Sequence, residues 1–326
     1  AGTDEVLDLE FLIFMIDKDF DLKAFANQFS EANGTYIDAS AKTFSLEVPD
    51  HAELWFVKEE VSLKNLLNFD RFFCSKEKEA EDKMKNQQEF LAMIEDYLER
   101  DVFPGVNFAI LEGEEVSEYL FGKAALIPEP IALTPGKKWD LASLTKVIGT
   151  GTAVIDLVLA GKLELDAPLQ KYYAKFTDST VSLRQLLTHT SGIDPYIPNR
   201  DKLGFFELTE AINQIRVTDD KSFKYTDINF ILLGFLLEEY YGESLDHIFT
   251  KNIFKNWGMK QTSFGPVENA VPTSQNIPLG TVHDPKAQVL KNHCGSAGLF
   301  STLSDMILFS QAYFREEKYL ELLKNY

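Results

Sequence analysis

The feature that most limits what this chain can fold into is a change of hydrophobic rhythm part-way along it. Val106–Leu111 and Val116–Phe121 read as two strands flanking Glu112-Gly113-Glu114-Glu115, the pattern of a β-hairpin. From about residue 143 to 260 the apolar residues recur at helical spacing instead. A hairpin that gives way to a long helical block specifies an α+β fold, because a doubly wound parallel sheet would need strands and helices in alternation.

Helix ends inside the block carry their own signals. A helix is expected over Ser143–Ala160, with Gly161 where a C-terminal cap belongs. Ser182-Leu183-Arg184-Gln185 is a capping-box sequence and opens a short helix that stops before Ser191-Gly192. Asn229–Tyr241 is helical and ends at Gly242, residues 264–297 are rich in turns, and Thr302 to Asp305 caps a last helix through Tyr313.

The first sixty residues follow another pattern. Leu9–Ile16 is an apolar strand; Asp21–Ser30 suits a short helix, with Leu22, Phe25, Ala26 and Phe29 on one face. After the Asn33-Gly34 turn, Thr35–Asp38, Thr43–Val48 and Glu53–Val57 alternate as three strands, giving the order βαβββ. Residues 75–88 are charged or polar apart from Ala80 and Met84, and lead into an amphipathic helix carrying Phe90, Leu91, Ile94 and Leu98. This composition shift divides the chain into a βαβββ module (1–66), a charged linker (67–84) and a larger domain (85–326).

Composition excludes several function classes. The net charge of −19 repels a phosphate backbone, so no nucleic-acid partner is expected. Apolar runs such as Phe11–Ile16 and Phe230–Leu237 fall short of the roughly 20 residues that cross a bilayer. Cys74 and Cys294 form no CxxC pattern, which favours a reduced, cytoplasmic protein over a disulfide framework. The chain begins at Ala1 with no signal peptide, so the native start is expected upstream. His283, Asp284, His293 and Cys294 match no compact ligand set and are read as turn residues, so no metal or cofactor is expected. His51 and His247 are isolated and read as surface residues.

Two short motifs bear chemistry. Ser143-Leu144-Thr145-Lys146 sets a serine and a lysine three residues apart at a helix start, on one face. The helix N-terminus favours a developing alkoxide, and a desolvated lysine amine can accept the serine proton. By itself the tetrapeptide is common, and Ser143 is equally an N-cap. Tyr225-Thr226-Asp227 precedes a helix; a phenol beside a lysine can shuttle protons, though an aromatic core residue with an aspartate cap fits as well.

The surrounding blocks decide between these readings. Trp139-Asp140-Leu141-Ala142-Ser143-Leu144-Thr145-Lys146 resembles the first motif of the class C β-lactamase-like family, which includes penicillin-binding proteins, D-alanyl-D-alanine carboxypeptidases and esterases. Gly161 to Leu169, Leu186 to Ile193, Phe223 to Phe230 running on to Gly234, Met259 to Thr262, Val282-His283-Asp284 and Gly295 to Thr302 resemble further family segments, in the family's order.

This resemblance implies a β-lactamase/transpeptidase-like fold and a serine hydrolase forming an acyl-enzyme on Ser143. Lys146 and Tyr225 share general-base and general-acid work, Asp227 stands where the family has asparagine, and the Ser143 N–H is one oxyanion donor. The implied partner is a small-molecule or peptide substrate: a D-alanyl peptide, a β-lactam or an ester. Asp227 adds a negative charge that should keep Lys146 protonated and puts the identity of the base in doubt. In the resemblance His189 belongs to a structural segment. The family's third motif, a Lys/His-x-Gly strand after the Gly295–Thr302 block, is not found before Tyr326; His293-Cys294-Gly295 has its letters but precedes that block. The chain is therefore expected to be truncated, and a catalytically inactive penicillin-binding-like scaffold or binding module is the alternative. The βαβββ order resembles a glyoxalase-like half module, and Ala52–Phe56 resembles the C-terminal half of the C3-degrading proteinase family. His51 and Glu53 mimic metal ligands of such modules but read as exposed strand-end residues.

Overall fold

The computed structural model describes residues 11–16, 34–36, 43–48, 52–58, 88, 90–112, 115–274 and 276–320. The expected helix at 21–30, the linker, Cys74 and His51 lie outside them. The chain divides into two units, residues 1–106 with 319–326, and residues 107–318.

In the first unit β1 (Phe11–Ile16), β2 (Gly34–Tyr36), β3 (Thr43–Val48) and β4 (Ala52–Lys58) form one sheet in the order β1-β4-β3-β2. β4 runs parallel to β1, from Phe11 opposite Glu53 to Ile16 opposite Lys58, and antiparallel to β3. Helix α1 (90–99) turns Ile94 inward and leaves Glu95, Asp96 and Glu99 in solvent, as its amphipathic pattern requires.

In the second unit the hairpin comprises β5 (Gly105–Glu112, entering from the first unit) and β6 (Glu115–Ala125), with the short β7 (Ile131–Ala132) added beside β6. A second sheet has the order β8-β10-β9, from Trp139–Asp140, Leu299–Ser301 and Ser263–Phe264. The helices gather around one apolar axis. α5 (Asp227–Tyr241) buries every residue from Ile228 to Leu237, and a helix apolar on all sides must be covered on all sides. α2 (Thr152–Leu159), α3 (Leu183–Leu187), α4 (Phe205–Asn213) and α6 (Leu245–Phe249) supply that cover. α7 (Pro285–Leu290) and α8 (Leu303–Arg315) follow, and the core they share includes Leu186, Leu232, Phe249, Leu290 and Phe300.

The punctuation signals act where the sequence puts them. Ser182 and Gln185 make the reciprocal capping box, Thr302 accepts from the Asp305 N–H at 3.3 Å, and Gly161 and Gly242 take φ of 67° and 68° just past their helices. Two details differ. α5 begins at Asp227 rather than Asn229, and its cap is Thr226, whose hydroxyl accepts from the Ile228 N–H at 3.2 Å. The helix expected from Ser143 is interrupted: Lys146–Gly151 is a π-helical stretch before α2. Thr152 directs both its N–H and its hydroxyl to the Val147 carbonyl, five residues back.

Candidate active site

The turn holding Ser143 is fixed before the helix begins. Asp140 accepts from the Ala142 N–H at 2.9 Å through one oxygen and from the His283 N–H at 3.1 Å through the other. Leu141 N–H donates to the Leu299 carbonyl at 2.8 Å, and Leu299 N–H donates to the buried Thr145 hydroxyl at 3.1 Å. These bonds tie both flanks of the serine to β10. Ala142 takes φ 43°, a left-handed conformation that costs a non-glycine residue about 1–3 kcal/mol and persists only where its surroundings impose it. Ser143 is exposed, while Lys146, three residues on, is 3% exposed.

Lys146 Nζ meets three acceptors: Ser143 Oγ at 2.9 Å, Asp227 Oδ1 at 2.8 Å and the Ser296 carbonyl at 3.3 Å. An ammonium has three donors to satisfy, so this is the coordination of a protonated lysine. Burial pulls the lysine pKa down, but the charge of Asp227, reinforced by Tyr225, outweighs it and the net shift is upward. Burial likewise pushes Asp227 up, and Lys146 and Lys286 overcome this and hold the carboxyl well below the usual carboxylate range. Lys286, at the start of α7, lies 2.8 Å from Asp227 Oδ2 and 3.1 Å from Asp284 Oδ2. Burial lowers its pKa, and the two aspartates more than reverse that. Lys146, Asp227, Lys286 and Asp284 thus form one chain of alternating charge.

Tyr225 stands over the lysine, its ring centroid 4.8 Å from Nζ and 4.5 Å from the ring of His189. His189 acts as a brace. Its Nδ1 accepts from the Asn229 amide at 2.9 Å and from the Thr226 N–H at 3.3 Å, and its carbonyl accepts from the Lys224 N–H at 2.8 Å. An accepting Nδ1 leaves the ring proton on Nε2, an assignment made from the network. Burial, followed by the Lys146 charge, brings the imidazole down to about 3, so it is neutral at pH 7. Ser191 adds a bond to Asn229 at 2.7 Å. The Leu186–Ile193 segment therefore works by holding the Tyr225 loop in place.

Ser143, Lys146, Tyr225 and Asp227 are brought together. His293 is not among them: it lies 2.7 Å from Glu238, in a groove of about 380 Å³ with Phe205 and Tyr173. His283 goes to Asp140 at 3.1 Å, and Cys294 is buried, its thiol pushed up to about 11 by burial. Sequence reading missed Asp140, Lys286 and the Ser296 carbonyl. Asp284-Pro285 is a helix-start signal that would have placed Lys286 in a first turn, but nothing local says which carboxylate it meets.

This α+β fold, with a lysine-paired serine at the head of its central helices, has the β-lactamase/transpeptidase-like form. The chain belongs to the beta-lactamase family, whose profile matches residues 90–325. A second profile, described as CppA C-terminal, matches residues 1–56. A protein of Escherichia coli K12 with the provisional name D-alanyl-D-alanine carboxypeptidase is 28% identical over 258 residues, covering 64% of this chain and 59% of its own length. Its Salmonella typhimurium counterpart is 26% identical over the same span. The chain thus spans about three fifths of the length of these relatives. Among solved structures, a class C beta lactamase from Rhodobacter sphaeroides superposes with a TM-score of 0.56 at 22% identity, covering 72% of this chain and 68% of that one. FmtA from Staphylococcus aureus superposes at 0.57 and 22% identity, covering 70% and 66%. These likenesses show the fold. Among the described residues no helix is long and apolar enough to cross a membrane.

Proposed function

We propose that this chain carries the acyl-transfer site of a serine hydrolase, with Ser143 as nucleophile. The observation that carries the reading is an exposed serine hydroxyl 2.9 Å from the ammonium of a buried lysine, on a turn fixed from both sides. In the proposed reaction the Lys146–Tyr225 pair first gives up one proton to solvent; Ser143 Oγ then attacks a carbonyl carbon and its proton passes to that pair. The C–N or C–O bond of the substrate then breaks, the leaving group takes that proton, and water hydrolyses the acyl-enzyme. At rest Lys146 donates to Ser143, a contact that stabilises the alkoxide as it forms; Tyr225, beside that cation, is the second proton carrier. Among the described residues the Ser143 N–H donates to no protein acceptor, which suits it to receive the oxyanion.

The proposed substrates are D-alanyl peptides, β-lactams or small esters; the names of the relatives support the first two classes. A cytoplasmic setting belongs to the same proposal and rests on the unpaired cysteine pattern; Cys294 is a free buried thiol. The test is covalent labelling with a fluorophosphonate and with a fluorescent penicillin. The adduct is expected on the peptide containing Ser143 and absent from Ser143→Ala. An adduct of equal yield on Ser143→Ala would remove Ser143 as the nucleophile.

A further inference from the structure

Asp227 uses both of its oxygens on lysines, Oδ1 on Lys146 and Oδ2 on Lys286, each at 2.8 Å. A carboxylate that serves one buried cation alone would hold its proton tightly. Here the same negative charge is divided between two cations, and Asp284 in turn draws on the second at 3.1 Å. We propose that Lys286 is a positioning residue for the acyl-transfer reaction: by occupying the far oxygen of Asp227 it limits how strongly that aspartate holds the proton on Lys146.

Among the other groups that face Lys146, Tyr225 is titratable and adds to the pull of Asp227. Ser143 and the Ser296 carbonyl are neutral, and Tyr225 presents its ring and hydroxyl. His189 is neutral at working pH. Around Lys286 the acids among the described residues are Asp227 and Asp284. The largest charge acting on the lysine–serine pair therefore enters through Asp227, and Lys286 is the cation placed to oppose it. Lys286 touches neither Ser143 nor, in this reading, the substrate carbonyl; it acts through Asp227.

The inference rests on the serine-hydrolase reading, and the two fail in different ways. The measurement is the rate of fluorophosphonate labelling of Ser143 from pH 5 to 11 in the full chain. Lys286→Met should move the limb governed by Lys146 to higher pH by about one unit, which is a tenfold change at a fixed pH on that limb. Asp284→Asn frees Lys286 to act on Asp227 and should move the limb the other way; asparagine retains the helix cap, so folding is preserved. Lys286→Arg should keep the wild-type profile. In the pair Asp227→Asn and Lys286→Met, the double variant should label within about threefold of Asp227→Asn alone, because the carboxylate through which Lys286 acts is gone, whereas additive effects would slow it as much as Lys286→Met slows the wild type. Unmoved limbs in both Lys286→Met and Asp284→Asn, or additivity in the double variant, would overturn the role of Lys286. Failure of the wild-type chain to label at all would instead overturn the serine-hydrolase reading.

Discussion

At the scale of single residues the site is an exercise in holding one lysine. Lys146 has lost almost all contact with water, and its three N–H groups are met by a serine, a carboxylate and a carbonyl from three separate segments. The aspartate in the Tyr-Thr-Asp motif could be read as a source of negative charge beside Lys146; its sharing with Lys286 could not, because that contact joins residues 59 positions apart in the numbering. His189 gives a pH test of the bracing network. Its folded-state value of about 3 lies below the ordinary value of about 6.5, so the unfolded chain binds a proton that the folded chain does not. Its part in stability is complete above about pH 6.5 and is lost as the pH falls toward 3. Between pH 6 and 4.5, where most carboxylates are still ionised, the melting temperature of the wild type should fall. His189→Gln, which keeps an acceptor without titrating there, should fall less steeply. Parallel slopes would mean that His189 does not stay neutral in the fold.

At the scale of elements, what was legible and what was not separate along a physical line. Signals written in adjacent residues were readable: the capping box at Ser182 and Gln185, the left-handed stop at Gly242, the Thr302 cap. The first strand of the first sheet was placed from its apolar run and the other three from alternation, to within about two residues at each end. Features set by tertiary contact were not readable. The π-helical stretch Lys146–Gly151 depends on what surrounds it, since helical periodicity in sequence does not distinguish it from an ordinary turn. The same holds for the crossing of α5 with the segment after Cys294. A Cβ on Gly295 would come within 2.2 Å of the Phe230 carbonyl and 3.1 Å of the Gly234 Cα, so the two backbones meet where neither can carry a side chain. That crossing places the Ser296 carbonyl over Lys146. Gly295→Ala should therefore cost about 1–3 kcal/mol, read as a melting temperature lower by about 2–4 °C per kcal/mol. It should also slow labelling of Ser143. A variant that melts and labels like the wild type would show that the contact is not tight.

At the scale of the whole molecule, Ser143, Lys146, Tyr225, Asp227 and Lys286 all lie within residues 107–318, and the β1–β4 sheet completes its ladder within the first unit. A chain lacking residues 1–66 is expected to label at Ser143 within about twofold of the full chain. Loss of labelling in a shortened chain that still melts cooperatively would assign the N-terminal segment a part in the chemistry. The beta-lactamase family identity was legible because its blocks follow one another in order, each weak alone. Substrate choice was not, because pocket walls are set by loops brought together in space. The most direct test of the acyl-enzyme account is intact-protein mass spectrometry during reaction with a penicillin or an activated ester. The account predicts an adduct of the mass of the acyl group on the wild-type chain, which then declines as hydrolysed product accumulates, and no adduct on Ser143→Ala. A chain that stays unmodified while product forms, or an adduct that appears equally on Ser143→Ala, would contradict it.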